Sequence, residues 1–471
     1  MLYFWVIIAY LAVLIGVGSF RSKQVKTQDD FMVAGRRLSA KVLVGTLLAT
    51  WIGSGSIIAG AGLAYDRGLP ALWFSVGVWV ALLVLYFIAG RARGLAQYTV
   101  PDLLELRYNK WARVLGTIVT IVAYTAIVSY QFRAGGMVLN LVTGISVDQG
   151  MIITAAFVIG YTVLAGLISV AYTDVVNGII MSVGLLIAFP YLLGEAGGWS
   201  EIAARLPETH LQPLGELTLL QAFGYSLPAM LLLLGESGMY QRFFSAKDTG
   251  TAKRAVTGWI IGTIVIETLI IVLAVIGSAL YTDIESEMII LHLVRHGLPA
   301  IAGCLCLAAI VAVIVSTADS FLLVPSINIM RDIYQRFINP NLPQKRMVLY
   351  SRIVVVILGI FAFAQVRFFE RILEMAIYAY TMYGVGITPA VMAAFFWKRA
   401  TAAGGVTSIA AGMVVTIVWE VMGSPWDIPT VYPALALSLA GLVVVSLLSP
   451  KPDEGKWLPF FPTTDKTGYC K

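Results

Sequence analysis

Charged residues are scarce in this sequence. They make up 12% of its 471 residues, about half their share in a typical soluble domain. Hydrophobic residues make up 59%, and apolar runs of roughly 20 residues, the length of a helix that crosses a bilayer, recur from end to end. The composition excludes an ordinary soluble protein. It predicts an all-α polytopic membrane protein, a single transmembrane domain over 1–471 in contact with the lipid bilayer.

Cysteine and histidine are also rare, with three of each. Cys304 and Cys306 lie in an apolar run and Cys470 lies in the tail, so the spacing indicates neither a disulfide framework nor a metal site. Gly-rich phosphate loops and the HExxH and GxSxG motifs are missing, which argues against an enzyme. The net charge of +6 does not predict a nucleic-acid partner, because basic residues in a membrane protein first report its orientation.

The apolar runs predict about thirteen membrane spans. They lie near residues 2–20, 43–64, 69–90, 114–142, 149–169, 173–194, 217–240, 255–282, 298–329, 349–366, 372–397, 402–423 and 429–449. The first run lacks a basic segment before it and a small-residue cleavage site, so we expect a retained span rather than a signal peptide.

Lysine and arginine are distributed unequally between the two sets of loops. Of the 32 basic residues, 26 fall on one side, five on the other, and Arg133 alone falls in a span. The positive-inside rule places the 26 in the cytoplasm. We therefore expect an outside N-terminus, a cytoplasmic C-terminus with its tail at 450–471, and a location in the plasma or inner membrane.

Two spans are interrupted by glycine. Gly53-Ser54-Gly55 interrupts the second span, and Gly235-Glu236-Ser237-Gly238 interrupts the seventh. Broken spans at matching positions of two halves indicate a transporter site built on inverted repeats. We expect span 1 and a cytoplasmic loop over 1–42, repeats over 43–194 and 217–397, and two further spans over 402–449. The alternative is close helix packing, since the chain contains 44 glycines.

Asp319 is an acidic residue in a predicted span, where a carboxylate costs a few kcal/mol and therefore suggests a function. Ser316, Thr317 and Ser320 lie within one helical turn of it. A carboxylate with hydroxyls is an oxygen set that suits Na+ or H+ rather than zinc or copper. The alternative is a polar patch that bonds a neighbouring helix.

Other candidate residues have two interpretations each. Asp174 lies at the start of the predicted sixth span, where it is the N-cap of the helix, a ligand of an ion, or both. Glu236 either ends a helix at the cytoplasmic side or contacts a solute, and Arg133 either reaches the surface or pairs with a carboxylate. Aromatic side chains near the interruptions are candidates for lining a site or for simple packing: Trp51, Tyr130, Tyr378, Tyr380 and Tyr383.

Several short motifs, in order along residues 3–425, resemble those of the sodium:solute symporter family. They are Asp29-Asp30-Phe31, Ala34-Gly35-Arg36-Arg37, Ala49-Thr50-Trp51-Ile52-Gly53-Ser54-Gly55, Val170-Ala171-Tyr172-Thr173-Asp174-Val175-Val176, Tyr240-Gln241-Arg242, Ser316-Thr317-Ala318-Asp319-Ser320 and Trp397-Lys398-Arg399-Ala400-Thr401. The resemblance implies a LeuT-type fold of two inverted five-helix repeats, broken at spans 2 and 7. It also implies Na+-coupled symport of a small organic solute by alternating access.

The resemblance further implies where ions bind. The sodium site falls on Ala49, Ile52, Val313, Ser316 and Thr317. A second site, for Na+ or H+, falls on Asp174, Asp319 and Ser320. Asp319 stands where several members have serine, which leaves the number of sodium ions open. The stretches at Trp51, Ala171–Val176 and Ser316–Ser320 are most similar to the choline-transporter branch, and Glu236 would then face an ammonium group.

We therefore predict a secondary transporter with its solute held near mid-membrane. The predicted solute contacts are Trp51, Ser54, Ser56, Tyr130, Gln131, Glu236, Tyr380 and Tyr383. The solute is an amine, amino acid, carboxylate or sugar, and the oligomeric state stays open. The alternatives are a proton-coupled transporter, with Asp319 and Asp174 titrating, and a non-transporting membrane solute sensor.

Overall fold

The computed structural model describes residues 2–22, 27–164 and 167–461. Within those ranges the chain is helical, and its one β-type contact is an isolated bridge between Leu38 and Ala246. The main helices are α1 (Leu2–Ser22), α2 (Ala40–Trp51), α3 (Gly55–Arg67), α4 (Leu69–Leu95), α5 (Lys110–Thr143), α6 (Val147–Leu164), α7 (Leu167–Glu195), α8 (Leu219–Gly235), α9 (Ser237–Ser245), α10 (Thr249–Leu280), α11 (Ile289–His296), α12 (Ala300–Ile338), α13 (Gln344–Gln365), α14 (Ile372–Phe396), α15 (Ala402–Val421) and α16 (Val431–Leu448).

The number of spans is close to the prediction but does not confirm thirteen. Eleven helices of the described chain are long and apolar enough to cross a membrane, and the bent pair α2 and α3 makes a twelfth. The remaining predicted span, near 2–20, coincides with α1, a 21-residue helix that is not among these twelve. The final residues of the predicted tail, including Cys470, lie outside the described residues.

Capping side chains fix where several helices begin. Thr218 accepts a hydrogen bond from the backbone N–H of Gln221, and the Gln221 side chain accepts one from Thr218 in return. Asn109 accepts from two backbone N–H groups at the start of α5, and Asp248 accepts from the N–H of Thr251 at the start of α10. These contacts satisfy N–H groups that the first helical turn leaves unbonded.

Helices α2 and α3 form one span with a bend of 55°. Helix α2 ends at Trp51, Ile52 has an extended backbone (φ −73°, ψ 100°), and α3 begins with a π-helical turn at Gly55. At two positions of the break, close neighbouring side chains leave no room for a residue larger than glycine. A Cβ on Gly55 would collide with the Tyr380 hydroxyl, and one on Gly53 would lie 3.0 Å from the Thr317 side chain. The predicted first interruption is therefore a real helix break.

The second interruption separates α8 from α9. Glu236 has an extended backbone (φ −62°, ψ 116°) between the two helices. Its carboxylate accepts hydrogen bonds from the backbone N–H groups of Gly238, at 3.0 Å, and Met239. Glu236 is thus the N-cap of α9, and both predicted breaks are present.

Helices α5, α12 and α14 form the centre of the protein. They are the most completely buried of the spanning helices, whereas α13, α15 and α16 leave most of their side chains at the surface. Helix α12 packs on α5 and α7, and α14 packs on α5 and α8. Polar residues on α5, α12 and α14 therefore face protein rather than lipid, which is where membrane proteins tolerate them.

Short helices occupy the two loops that the charge distribution places outside. Trp199–Arg205 and Glu208–Leu211 lie in the first loop, and α11 lies in the second. Just before α11, the Glu287 carboxylate accepts hydrogen bonds from the backbone N–H groups of Ile372 (3.1 Å) and Leu373 (3.0 Å). This loop is therefore joined to the start of α14.

Candidate ion and solute sites

The end of α2 faces the middle of α12 through oxygen atoms. The Ser316 hydroxyl lies 3.3 Å from the carbonyl oxygen of Ala49, and the Thr317 hydroxyl lies 3.4 Å from that of Ile52. These side chains are buried, as is Val313 one turn earlier on α12. Because the helix ends at Trp51, carbonyls near the break are free of their usual helical N–H partners. Carbonyl and hydroxyl oxygens are ligands that suit a hard cation such as Na+.

Asp174 lies beside these oxygens and is fully buried. Its carboxylate accepts hydrogen bonds from the hydroxyl of Thr46, at 2.5 Å, and from that of Ser316. The Arg242 guanidinium forms an ion pair with it at 3.3 Å. Asp174 is therefore an interior residue of α7 that connects α2, α9 and α12.

Arg242 is a functional candidate that sequence reasoning missed. Its Nε donates to Thr46 at 2.8 Å, and its Nη2 donates to Ser320 at 2.9 Å and to Thr50. It is fully buried on α9, within the candidate span Leu219–Ser245. The predictions that Arg242 lies in a cytoplasmic loop and that Arg133 is the only basic residue in a span were wrong. The helix continues for two turns beyond the second break and keeps this side chain inside.

Asp319 lies in the same region, and one of its oxygens is unsatisfied. Oδ1 accepts a hydrogen bond from the Ser320 hydroxyl at 3.3 Å, whereas Oδ2 has no hydrogen-bond partner among the described residues. The side chain is 1% exposed. Buried polar atoms almost always have a partner, so this oxygen is a candidate to bind an ion, a proton or a water molecule.

Four aromatic residues surround the first break, and we call them the aromatic box: Trp51, Phe74, Tyr130 and Tyr380. The Trp51 and Tyr380 rings stack with centroids 6.5 Å apart, and Phe74 lies 6.2 Å from Tyr380. The Tyr130 and Tyr380 hydroxyls are 3.3 Å apart. Their contact with Gly55 places the box directly beside the break.

Polar groups at the break have unused hydrogen-bonding capacity. The backbone N–H of Ser54 donates to Gln131 Oε1 at 3.3 Å. Gln131 Nε2 and Ser54 Oγ are buried and have no partner in the described chain. Ser56 is half-buried further along the same segment. This combination of apolar rings and a few convergent polar groups is typical of small-molecule sites.

Glu236 and Tyr383 lie at the second break. The Tyr383 hydroxyl donates to the carbonyl of Gly235 at 2.7 Å, and its ring lies 5.1 Å from that of Tyr124. Tyr124 in turn donates to the Glu236 carboxylate. These contacts give both residues a structural role at the break.

Arg133 donates to the carbonyl of Phe369 at 2.6 Å, and Tyr378 packs on the Phe369 ring at 5.3 Å.

Glu267 is a second residue that sequence reasoning missed. It lies in the middle of α10 and is 3% exposed. Its two carboxylate oxygens accept hydrogen bonds from the indole N–H groups of Trp51 (2.9 Å) and Trp79 (3.0 Å). A lone acidic residue in an apolar run was visible in the sequence, and it is the same signal that identified Asp319.

Comparison with known proteins agrees with this geometry. The sodium:solute symporter family matches residues 31–412. The high-affinity proline transporter PutP of Bacillus subtilis is 27% identical over 93% of this chain and 96% of its own. A sodium/proline symporter of Staphylococcus aureus is 27% identical over 95% of this chain and 92% of its own. A substrate-bound Na+-coupled sialic acid symporter has a similar fold, with a TM-score of 0.82, 20% identity and coverage of 96% and 98%.

The broken spans, the buried oxygen-rich centre and these likenesses define a secondary transporter of the LeuT-type fold. The chain belongs to the sodium:solute symporter family. It is a multi-span membrane protein that couples transport of its substrate to sodium.

Proposed function

We propose that the protein imports a small organic solute together with Na+, which is bound by Ala49, Ile52, Val313, Ser316 and Thr317. The observation that supports this most strongly is the position of the first break. Its carbonyls face the Ser316 and Thr317 hydroxyls, and the same segment borders the aromatic box. The positive-inside bias supports an outside N-terminus and a cytoplasmic C-terminus.

Shared use of the break explains coupling. Sodium and solute both require the backbone near 49–55 to be ordered, so binding of either one lowers the cost of binding the other. Each sodium ion that enters down a membrane potential of about 100 mV supplies about 2.3 kcal/mol. The matching breaks at Gly53 and Glu236 support the repeat boundaries 43–194 and 217–397 as the two halves that rearrange around this site.

The second ion site is formed by Asp174, Asp319 and Ser320. In the structure Arg242 is the counter-charge of Asp174, while Asp319 Oδ2 has no partner among the described residues. The unpartnered oxygen favours binding of a further cation at Asp319. Both Na+ and H+ fit that requirement, so proton coupling is the second candidate function.

We propose an amine or amino acid as the solute. The aromatic box offers ring faces that attract an ammonium group, and the buried carboxylate of Glu267 lies directly behind Trp51. A solute carboxylate would find the N-terminus of α3 on the other side of the break. Relatives that transport proline fit this class. Among the candidate contacts, three belong to the box and three lie at the adjacent break: Trp51, Tyr130 and Tyr380, and Gln131, Ser54 and Ser56.

A Na+ titration of transport tests the proposal. The solute is first identified by a thermal-shift screen of amines and amino acids with and without Na+. Changing Ser316 and Thr317 to Ala should then raise the Na+ concentration for half-maximal uptake at least tenfold, since tenfold equals about 1.4 kcal/mol, the scale of one lost hydrogen bond.

Ser326→Ala is the matched control. Ser326 is buried on the same helix and bonds to the carbonyl of Leu323, at 2.6 Å, within its own turn. It should leave the Na+ dependence unchanged. An unchanged Na+ dependence in the Ser316/Thr317 variant would contradict the sodium assignment. Uptake driven by a proton gradient without Na+ would favour the second candidate function.

A further inference from the structure

Glu267 is a buried carboxylate near the first break that the proposed ion sites do not use. A charged side chain in the middle of a membrane span is costly and usually has a function. Within the described chain it forms no ion pair within 4.0 Å. Its carboxylate instead hydrogen-bonds to two tryptophans on two other helices and to the Ser75 side chain on α4.

The geometry assigns one oxygen to each indole. Oε1 accepts from Trp51, the last residue of α2, and Oε2 accepts from Trp79 on α4. An indole has a single donor and no acceptor. Each bond therefore fixes the direction in which its ring points. For Trp51, that direction sets the ring against Tyr380 in the aromatic box.

We propose that Glu267 is a positioning residue that holds the Trp51 ring in place as one wall of the solute site. This inference rests on the proposed function only in naming the solute site, because the Glu267–Trp51 bond is independent of which solute binds. The second bond, to Trp79, joins α10 to α4 and supports the first. Trp79 is half-buried and is not one of the four residues of the box.

Two variants separate the hydrogen bond from the charge. Glu267→Met keeps a similar length and removes both acceptors. Glu267→Gln keeps one acceptor and removes the charge. Combined with Trp79→Phe, which removes the competing indole donor, Glu267→Gln keeps an acceptor for Trp51, and its amide N–H can donate to the Ser75 hydroxyl. The positioning role therefore predicts that Glu267→Met disturbs Trp51 and that the Gln/Phe double variant restores it.

The first measurement needs no solute. Protein labelled with 5-fluorotryptophan is compared by fluorine NMR, and the Trp51 and Trp79 signals are assigned by their loss in Trp51→Phe and Trp79→Phe. We expect Glu267→Met to shift or broaden the Trp51 signal and the Gln/Phe double variant to return it to its wild-type position. A Trp51 signal that Glu267→Met leaves unchanged would overturn the inference.

The second measurement is the KM for the solute found in the thermal-shift screen. Glu267→Met should raise it about tenfold, the effect of losing one hydrogen bond to a charged group. The same change in a Trp51→Phe background should have less than about a twofold further effect, because the partner is already gone. A full tenfold effect in that background would show that Glu267 acts through another group, and the inference would fail.

The two proposals fail in distinguishable ways. If Trp51→Phe itself leaves KM unchanged while the NMR result holds, Trp51 is positioned by Glu267 but is not a wall of the solute site. That outcome contradicts the proposed solute site and the solute-binding part of this inference. If Trp51→Phe raises KM and Glu267→Met does not, only the inference is wrong.

Discussion

Replacing Arg242 should destabilise the proposed ion-binding centre in low sodium. The guanidinium is fully buried, pairs with Asp174 at 3.3 Å and donates to hydroxyls on α2 and α12. Arg242→Met fills similar space but leaves the Asp174 carboxylate without its cation. Breaking a buried ion pair by removing one partner costs about 3–5 kcal/mol. We therefore expect a large fall in the unfolding temperature in potassium buffer.

Sodium should reverse part of that loss. A cation that binds the folded variant at the unpaired Asp174 carboxylate stabilises it by about 2.7 kcal/mol when the cation is present at 100 times its Kd. The assay is thermal unfolding of the detergent-solubilised protein, followed by the reaction of a maleimide dye with the buried thiols of Cys304 and Cys306. The variant should show a larger increase of the unfolding temperature with sodium than the wild type shows.

Two further variants test the reasoning. Arg242→Met with Asp174→Asn removes both charges and should recover most of the lost stability, because no unpaired charge remains. Arg67→Met breaks an exposed pair with Glu216 and should change stability by less than about 1 kcal/mol. A single Arg242→Met variant as stable as the wild type, or a double variant less stable than the single one, would refute the account.

Two other substitutions have clear expected effects. Gly55→Ala would push a methyl group into the Tyr380 hydroxyl, so we expect loss of solute-dependent stabilisation in the thermal-shift assay. Gly94 has open space around it, so Gly94→Ala should leave that stabilisation intact. Burial raises the pKa of Glu287 above its ordinary value despite hydrogen bonds from Leu373 and Ile372 and the nearby Arg371 and Arg133. A raised pKa means that the folded state favours the protonated form of Glu287. The stabilisation that this preference gives is complete below the ordinary pKa of glutamate, and it is lost as the pH rises through the raised pKa. The unfolding temperature of the wild type should therefore fall relative to that of Glu287→Gln over this interval, and parallel curves for the two proteins would contradict it.

The sequence predicted the helix breaks because glycine in the middle of an apolar run weakens a continuous helix. The structure shows why the residues at these positions must be small: Gly55 meets Tyr380, and Gly53 meets Thr317. The oxygen atoms at Ser316 and Ala49 were predicted from family resemblance, and they lie 3.3 Å apart. Their sodium-binding role stays a prediction. The span count was close because hydropathy reports the length of each apolar run; α1 coincides with the predicted span near 2–20 but is not counted among the twelve.

The charged interior was harder to predict. The positive-inside rule assigns a basic residue near a helix end to a loop. Arg242 follows the glycine-rich break by only four residues. Its burial therefore depends on how far α9 continues. Glu267 was visible in the sequence, but its partners were not. Trp51 and Trp79 are 216 and 188 residues away along the chain, and no local pattern relates them. The role of Glu236 was equally hidden, because its capping bonds depend on where the break begins.

The balance of buried charge connects these residues to ion coupling. Arg242 neutralises Asp174, so that pair requires no ion while the two side chains remain in contact. Asp319 is one residue from Ser320, which also bonds Arg242, and its Oδ2 has no partner in the described residues. A cation entering at Asp319 would be repelled by the guanidinium nearby, and this repulsion would weaken the contact of Arg242 with Ser320 and Asp174. Because Arg242 lies on α9, directly after the second break, any shift of its side chain acts on the second half of that span. The ion binding proposed at α12 would thereby be connected to the second broken helix, and to the first broken helix through Ser316 and Thr317.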